Sequence, residues 1–467
     1  MASDGKLHVV VFPWLAFGHL IPFLELSKVI AQKGYKVSFI STPRNINRLP
    51  KLPPNLIPLI NFVKLKLPRI QNLPEDAEAT MDVLPQDIHF LKEALDGLEP
   101  ELTRFLESSN PDWIIYDFAP YWIPKITAKL NISGAYFFVM NAWFLDFFGP
   151  TSIMMDPPKK EMGYLDYTVP PEWIPFPTNL AYRSYEVKRT QETSNKPGAG
   201  ITDMYRLGSV VSGCDVIMVR HCFEFEPLWL DLLEKLHGKP VVPLGLMPPD
   251  DQEIESNDKN ETWVSIKTWL DEQKELSVVY IALGSEVGLS QDELTELALG
   301  LELSGLNFFW ALRKSDSIEL PHGFLERIKG RGVVSESWAP QSKILSHDSV
   351  GSFLTHCGWS SIVEGLGFGR PLIMLPIAVD QGLNSRILVD TEVGIEIPRD
   401  ENDGSFTRNS VAESVKKVMV YKECHIFRDK AKELSSIFGD KDLHNRYMNK
   451  FIEYLEKHKP VCKLDME

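Results

Sequence analysis

The sequence predicts two doubly wound α/β domains, and three observations predict them. The chain has 467 residues, too many for one ordinary core. Short Val-rich apolar runs alternate with amphipathic helical stretches, the pattern of a parallel sheet covered on both faces. That alternation breaks near residue 250 in a polar, acidic, proline-marked stretch and then restarts.

The first forty residues read as one βαβ opening. Leu7 to Phe12 is a doubly buried strand, Pro13 to His19 a loop, and Leu20 to Lys33 a helix with apolar residues at helical spacing. Gly34 caps that helix and Tyr35 to Ile40 forms the next strand. Further strands are expected at Ile60 to Leu67, Trp113 to Tyr116, Gly134 to Val139 and Val216 to Val219. The stretch from Asp156 to Gly200, rich in Pro, Tyr and Trp, reads as a mobile or acceptor-side insertion. Beyond the acidic stretch, strands are expected at Val278 to Leu283, Asn307 to Leu312, Val333 to Ser335, Gly351 to Thr355, Leu372 to Leu375 and Gly394 to Ile397. The domain division expected is 1–246, a linker at 247–262, a second domain at 263–450 and a terminal helix and tail at 451–467. Small-molecule sites in such folds lie at the carboxyl ends of the strands and in the cleft between domains.

Composition narrows the function. A hydrophobic content of 44% with 24% charged residues fits a globular chain. The net charge of −15 disfavours a nucleic-acid binder, so any phosphate site must be local. Five scattered cysteines (Cys214, Cys222, Cys357, Cys424, Cys462) fit reduced thiols rather than a disulfide framework or a zinc site. The apolar stretch from Ile132 to Met155 is interrupted by Asp146, Gly149 and Pro150 and reads as a buried strand and a pocket-lining helix. No signal sequence precedes the first strand. The expectation is a cytoplasmic monomer with no nucleic-acid partner, no obligate membrane anchor and no metal.

The segment from Trp338 to Gln381 carries the most chemistry. A strand ending at Thr355 runs into His356-Cys357-Gly358-Trp359-Ser360-Ser361 and then a helix. Small and hydroxyl residues at a helix N-terminus present free N–H groups and a positive dipole end, suited to a diphosphate. His356 can donate one more hydrogen bond, and Trp338 offers a flat face for stacking a base. Glu364, one turn into the helix, can accept from two vicinal ribose hydroxyls, while Asp380 and Gln381 carry groups of the kind that read sugar hydroxyls.

This 44-residue segment resembles the C-terminal signature of plant family 1 UDP-glycosyltransferases, and the likeness extends along the whole chain. The resemblance implies a GT-B fold whose C-terminal helices pack back on the N-terminal domain, and a UDP-sugar as donor substrate with no cofactor. It implies that Trp338 stacks on uracil with the Ala339 backbone pairing to it, and that Gln341 and Glu364 hold the ribose. His356, Ser361 and Ser285 would contact the phosphates, with Gly358 and Ser360 in the same loop, and Trp359, Asp380 and Gln381 the transferred sugar. Gly18, beside His19, is placed with the donor residues. Position 360 is Ser where most of the family has Asn, a shorter donor that leaves room.

Both His19 and Asp117 follow parallel strands at their carboxyl ends, facing one cleft. A neutral imidazole can take a proton from an acceptor hydroxyl, and a carboxylate on its other nitrogen fixes the tautomer. The resemblance gives this pair the role of catalytic base and orienting acid in an inverting displacement of UDP. The acceptor implied is a small lipophilic metabolite, either an aglycone or the sugar of a terpenoid or flavonoid glycoside, with aromatic residues from Phe137 to Phe148 as its wall. The donor sugar is left open between glucose and rhamnose. A dehydrogenase would need Gly-x-Gly-x-x-Gly after the first strand, where only Gly18 stands, and a P-loop signature is absent. A nucleotide-sugar-binding protein without turnover is the remaining alternative.

Overall fold

A computed structural model describes residues 6–155, 164–194, 200–249, 261–284, 288–313, 318–337, 339–422 and 424–460. The chain forms two compact units: residues 1–163, 191–247 and 442–467 make the first, and residues 164–190 and 248–441 the second.

The first unit is built on a seven-stranded parallel sheet, β1 (His8–Phe12), β2 (Lys36–Ser41), β3 (Ile60–Lys64), β4 (Trp113–Tyr116), β5 (Ser133–Phe138), β6 (Val216–Val219) and β7 (Val241–Pro243), in the order β3-β2-β1-β4-β5-β6-β7. Val9, Val10 and Val11 of β1 are wholly buried, as a strand covered on both faces requires. The order reverses between β1 and β4, which pair in register from Val9–Trp113 to Phe12–Tyr116. The loops leaving these two strands therefore emerge side by side at the switch point.

The second unit repeats the design with six parallel strands, β8 (Val278–Ala282), β9 (Asn307–Ala311), β10 (Gly332–Ser335), β11 (Val350–Thr355), β12 (Leu372–Met374) and β13 (Gly394–Glu396), ordered β10-β9-β8-β11-β12-β13. Its switch point lies between β8 and β11, where Ala282 pairs with Thr355. The helices Gln291–Ser304 and Arg408–Met419 cover one face, and Gly300 allows their close approach, since a Cβ there would stand 2.5 Å from Val411.

Two expectations about domain limits need correction. The last helix, Lys441–Lys457, belongs with the first unit from Asp442 onward, so the expected limit at 450 cuts through it. Its apolar stripe explains why: Leu443, Tyr447, Met448, Phe451, Ile452 and Leu455 recur at helical spacing. The last four join the first unit's core, and Trp113 Nε1 donates to the Leu455 carbonyl at 3.0 Å. The second correction concerns the insertion expected on the acceptor side. Residues 164–190 pack with the second unit instead, held by Glu186, which receives Arg386 Nη2 on both oxygens at 2.9 Å. The expected linker at 247–262 falls largely outside the described residues. Among the described residues, no helix is long and apolar enough to cross a membrane.

Candidate active site

His19 lies inside a helix rather than at the end of a loop. The helix Phe17–Gln32 starts two residues earlier, so His19 occupies its first turn, and its N–H reaches the Ala16 carbonyl at 2.9 Å. Asp117 follows the last residue of β4 directly. The adjacency of β1 and β4 brings the two side chains together, with His19 Nδ1 and Asp117 Oδ2 2.8 Å apart. His19 is 13% exposed and Asp117 only 2%, so the carboxylate is sequestered while the imidazole reaches solvent. The backbone N–H of Trp14 donates to Asp117 Oδ2 at 3.0 Å and that of Phe118 to Oδ1 at 2.7 Å. These bonds satisfy a buried charge and fix its plane. A carboxylate has no proton to offer, so Nδ1 is the protonated nitrogen and Nε2 carries the lone pair. Gly18, in the same turn, is exposed with open space where a Cβ would project.

In the same unit, all six residues of the helix Ala142–Phe147 are buried. Phe144 stacks on Phe138 at 5.9 Å between ring centroids, and Phe148 meets Phe144 edge-on at 5.1 Å. The aromatic residues expected to line the acceptor thus pack on one another as a cluster.

The second unit places the phosphate loop at its own switch point. β11 ends at Thr355, and the helix Trp359–Gly367 begins after Gly358, which as N-cap has no side chain to offer the first-turn N–H groups. Trp359, Ser360 and Ser361 supply those N–H groups, and Ser360 is exposed. Cys357 takes φ +68, a left-handed turn that reverses the chain from strand into helix. Its N–H is met by Thr355 Oγ1 at 3.2 Å and its carbonyl by Asn384 Nδ2 at 2.9 Å. Burial holds the Cys357 thiol well above its ordinary value, consistent with a packed, inert side chain.

His356 is wedged between two glycines. A Cβ on Gly284 would stand 2.7 Å from its Nε2 and one on Gly358 2.5 Å, so both positions need glycine for the ring to lie there. Burial lowers its pKa to about 4, so the ring is neutral at ordinary pH. Its Nδ1 is buried without a hydrogen-bond partner among the described residues. His356 is therefore fitted to act as a hydrogen-bonding neutral imidazole rather than as a cation.

Three further expected residues converge. Gln341 opens the helix Gln341–Ser346 and donates from Nε2 to Glu364 Oε2 at 3.2 Å and, at 3.4 Å, to Ser361 Oγ. Ser342 Oγ donates to the same Glu364 oxygen at 3.0 Å, and Tyr280 Oη to Gln341 Oε1 at 3.4 Å. Tyr280 and Ser342 belong to this network and escaped the sequence reading. Tyr280 reads as one more strand aromatic, and Ser342 as an ordinary first-turn serine.

Asp380 and Gln381 stand where the helix Gln381–Asp390 begins. Gln381 Oε1 accepts from Ile377 N–H and Ala378 N–H, both at 2.9 Å, which commits its oxygen to the loop. Asp380 Oδ2 accepts from Asn384 Nδ2 at 2.7 Å. Asn384, also missed, thus joins this loop to the Cys357 carbonyl of the phosphate loop. Its signal was its place one helical turn beyond Asp380.

The Trp359 ring is 3% exposed and packs edge-on against Phe438 at 6.2 Å, while its backbone N–H stands in the first turn of the helix. Ala339 precedes the Gln341–Ser346 helix by two residues. Trp338 and Ser285 lie outside the described residues.

A helix N-terminus with a neutral imidazole beside it and a carboxylate one turn on are the features expected of a nucleotide-sugar site, and they stand on one doubly wound unit. A His–Asp pair stands on the other. Together these features define a glycosyltransferase of the GT-B class. The family pattern described as UDP-glucoronosyl and UDP-glucosyl transferase matches residues 235–464. UDP-glycosyltransferase 91D1 of Stevia rebaudiana is 55% identical over 475 residues, spanning 100% of this chain and 96% of that protein. The soyasaponin III rhamnosyltransferase of Glycine max is 45% identical over 467 residues, spanning 98% of this chain and 97% of that protein. Among solved structures, UGT73P12 of Glycyrrhiza uralensis complexed with glycyrrhetinic acid 3-O-monoglucuronide shares the fold with a TM-score of 0.78 at 22% identity, over 97% of this chain and 96% of that one. The chain belongs to the plant family 1 UDP-glycosyltransferases, and is an enzyme of that family.

Proposed function

We propose that this UDP-glycosyltransferase moves a hexose, glucose or rhamnose, onto a sugar hydroxyl of a lipophilic plant glycoside by a single inverting displacement. The observation that carries the mechanism is the His19 Nδ1–Asp117 Oδ2 contact of 2.8 Å. With Nδ1 protonated, Nε2 takes the proton of the acceptor hydroxyl as its oxygen bonds to the anomeric carbon. The bond from that carbon to the UDP oxygen breaks on the opposite side, and UDP leaves with the electron pair. Asp117 stabilises the imidazolium that forms. The charge on the departing diphosphate meets the N–H groups of Trp359, Ser360 and Ser361 and the neutral His356, with no step assigned to a metal. Support for a glycoside acceptor comes from two relatives' names. One is the soyasaponin III rhamnosyltransferase, and the other is an anthocyanidin-3-O-glucoside rhamnosyltransferase of Petunia hybrida, 33% identical over 462 residues.

The test is a panel of UDP-sugars against paired aglycones and glycosides, with products identified by mass spectrometry and the anomeric configuration by NMR. The reading expects products on the glycosides with inverted configuration. Turnover of aglycones alone would reassign the acceptor, and a retained configuration would remove the mechanism.

A further inference from the structure

The stretch from Ala181 to Thr190 carries no motif, yet it holds the loop that bears Asp380 and Gln381. Val379, just before them, is a β-branched residue at φ +55, in the left-handed region that such side chains rarely adopt. A conformation of this kind persists only where its surroundings over-determine it. Here they do so from two sides. On the loop's own side, Gln381 Oε1 gathers the N–H groups of Ile377 and Ala378, and Asn384 holds the Asp380 carboxylate. From the other side, Tyr182 Oη donates to the Val379 carbonyl at 2.8 Å. That carbonyl belongs to the peptide group leading into Asp380, so its direction sets the plane from which the Asp380 side chain departs.

Tyr182 is itself anchored. The next residue, Arg183, donates its N–H to Glu186 Oε2 at 2.7 Å. Glu186 in turn takes Arg386 on both oxygens, and Arg386 lies on the helix that Gln381 opens. Arg386 also pairs with Glu396 of β13, and the Glu186 and Arg386 side chains are 8% and 11% exposed. Gly382 completes the fit, since a Cβ there would stand 2.6 Å from the Glu186 carboxylate. The strap is therefore fastened to the helix immediately after the loop, and Tyr182 reaches from this fixed base to the strained residue.

We propose that Tyr182 is a positioning residue for the transferred sugar. Its hydrogen bond holds the Val379 peptide in the strained geometry and so fixes the pattern of sugar hydroxyls that Asp380 and Gln381 accept. The inference rests on the reading of those two residues as the sugar-facing pair.

Tyr182→Phe removes one oxygen and keeps the ring, so the strap stays packed. The measurements are kcat and KM with several UDP-sugars, and the inhibition constant of UDP alone, which has no sugar to read. For the preferred donor kcat/KM falls by about 2–13-fold, the net worth of one hydrogen bond. The preference ratio over the second-best donor contracts, while UDP inhibition stays within about twofold because the phosphate loop is untouched. Equal losses with every UDP-sugar, a matching loss of UDP inhibition, or unchanged kinetics would each overturn the proposal. Asp380→Ala, run in parallel, separates the two layers. If it collapses the preference and Tyr182→Phe does not, the strap has no positioning role; if it leaves the preference intact, the sugar-facing reading fails and the proposal falls with it.

Discussion

Replacing Asp117 with Asn is the perturbation whose consequences the geometry dictates most tightly. The carboxylate accepts three hydrogen bonds on two oxygens: His19 Nδ1 and Trp14 N–H on Oδ2, and Phe118 N–H on Oδ1. An amide has one acceptor oxygen and one donor nitrogen, so a donor must face a donor whichever way it turns. If the oxygen stays toward His19 and Trp14, the amide N–H₂ opposes the Phe118 N–H at a separation of 2.7 Å in the wild type. If the amide flips, it opposes Trp14 and forces His19 into the tautomer with the lone pair on Nδ1, leaving Nε2 protonated and unable to act as a base. The first outcome leaves a buried N–H unpaired, a cost of about 1–3 kcal/mol. The second removes the base, a loss of roughly 10²–10⁴-fold in turnover. His19→Ala should give the same 10²–10⁴-fold loss, while Asp117 keeps its two backbone N–H donors from Trp14 and Phe118. The double variant should be little slower than His19→Ala, since an orienting carboxylate has nothing left to orient. Single-turnover rates with saturating donor, UDP inhibition constants and thermal midpoints for the three variants constitute the assay. Near wild-type turnover of His19→Ala, or rate losses that multiply in the double variant, would refute the reasoning.

Gly358→Ala should raise the donor KM at least about tenfold with little change in the acceptor KM, since its Cβ would meet the His356 ring at 2.5 Å; titration with UDP checks this. Burial lowers His356 and His221 alike to about 4, against the ordinary 6.5. The unfolded chain therefore binds more protons between these values, so stability is full above pH 6.5 and falls as pH drops toward 4. The slope is roughly 1 kcal/mol per pH unit for each ring, read by denaturant titration at several pH values, and His221→Phe should reduce it by one ring's share. Ser360→Asn should be tolerated and should shift the donor constant more than the acceptor constant, as measured by initial rates. Transfer should persist in EDTA without added manganese, because the diphosphate site is built from backbone N–H groups and a neutral imidazole; loss of turnover restored by manganese would count against it.

How much of this was legible in the sequence follows from where the determinants sit. The two sheets were readable because a strand buried on both faces must be continuously apolar, as β1 and β8 are. His19 and Asp117 were readable as residues at the carboxyl ends of parallel strands, and the family resemblance paired them; the adjacency of β1 and β4 then makes the contact. Tyr280 and Tyr182 were not readable, because each acts through a contact whose partner is remote in sequence or an ordinary backbone group. Tyr182 is the sharpest case, since its partner is a carbonyl 197 residues away and nothing in either neighbourhood marks it. The position of the last helix was expected from the family resemblance and not from its own residues. Its apolar stripe shows that the helix packs on something, while the surface it covers is set by tertiary structure. Periodicity reports that a face is buried; only the fold reports against what. The same holds for residues 164–190, part of the stretch that read as a mobile or acceptor-side insertion. Their attachment through Glu186 and Arg386 instead makes them a brace for the loop that carries Asp380 and Gln381.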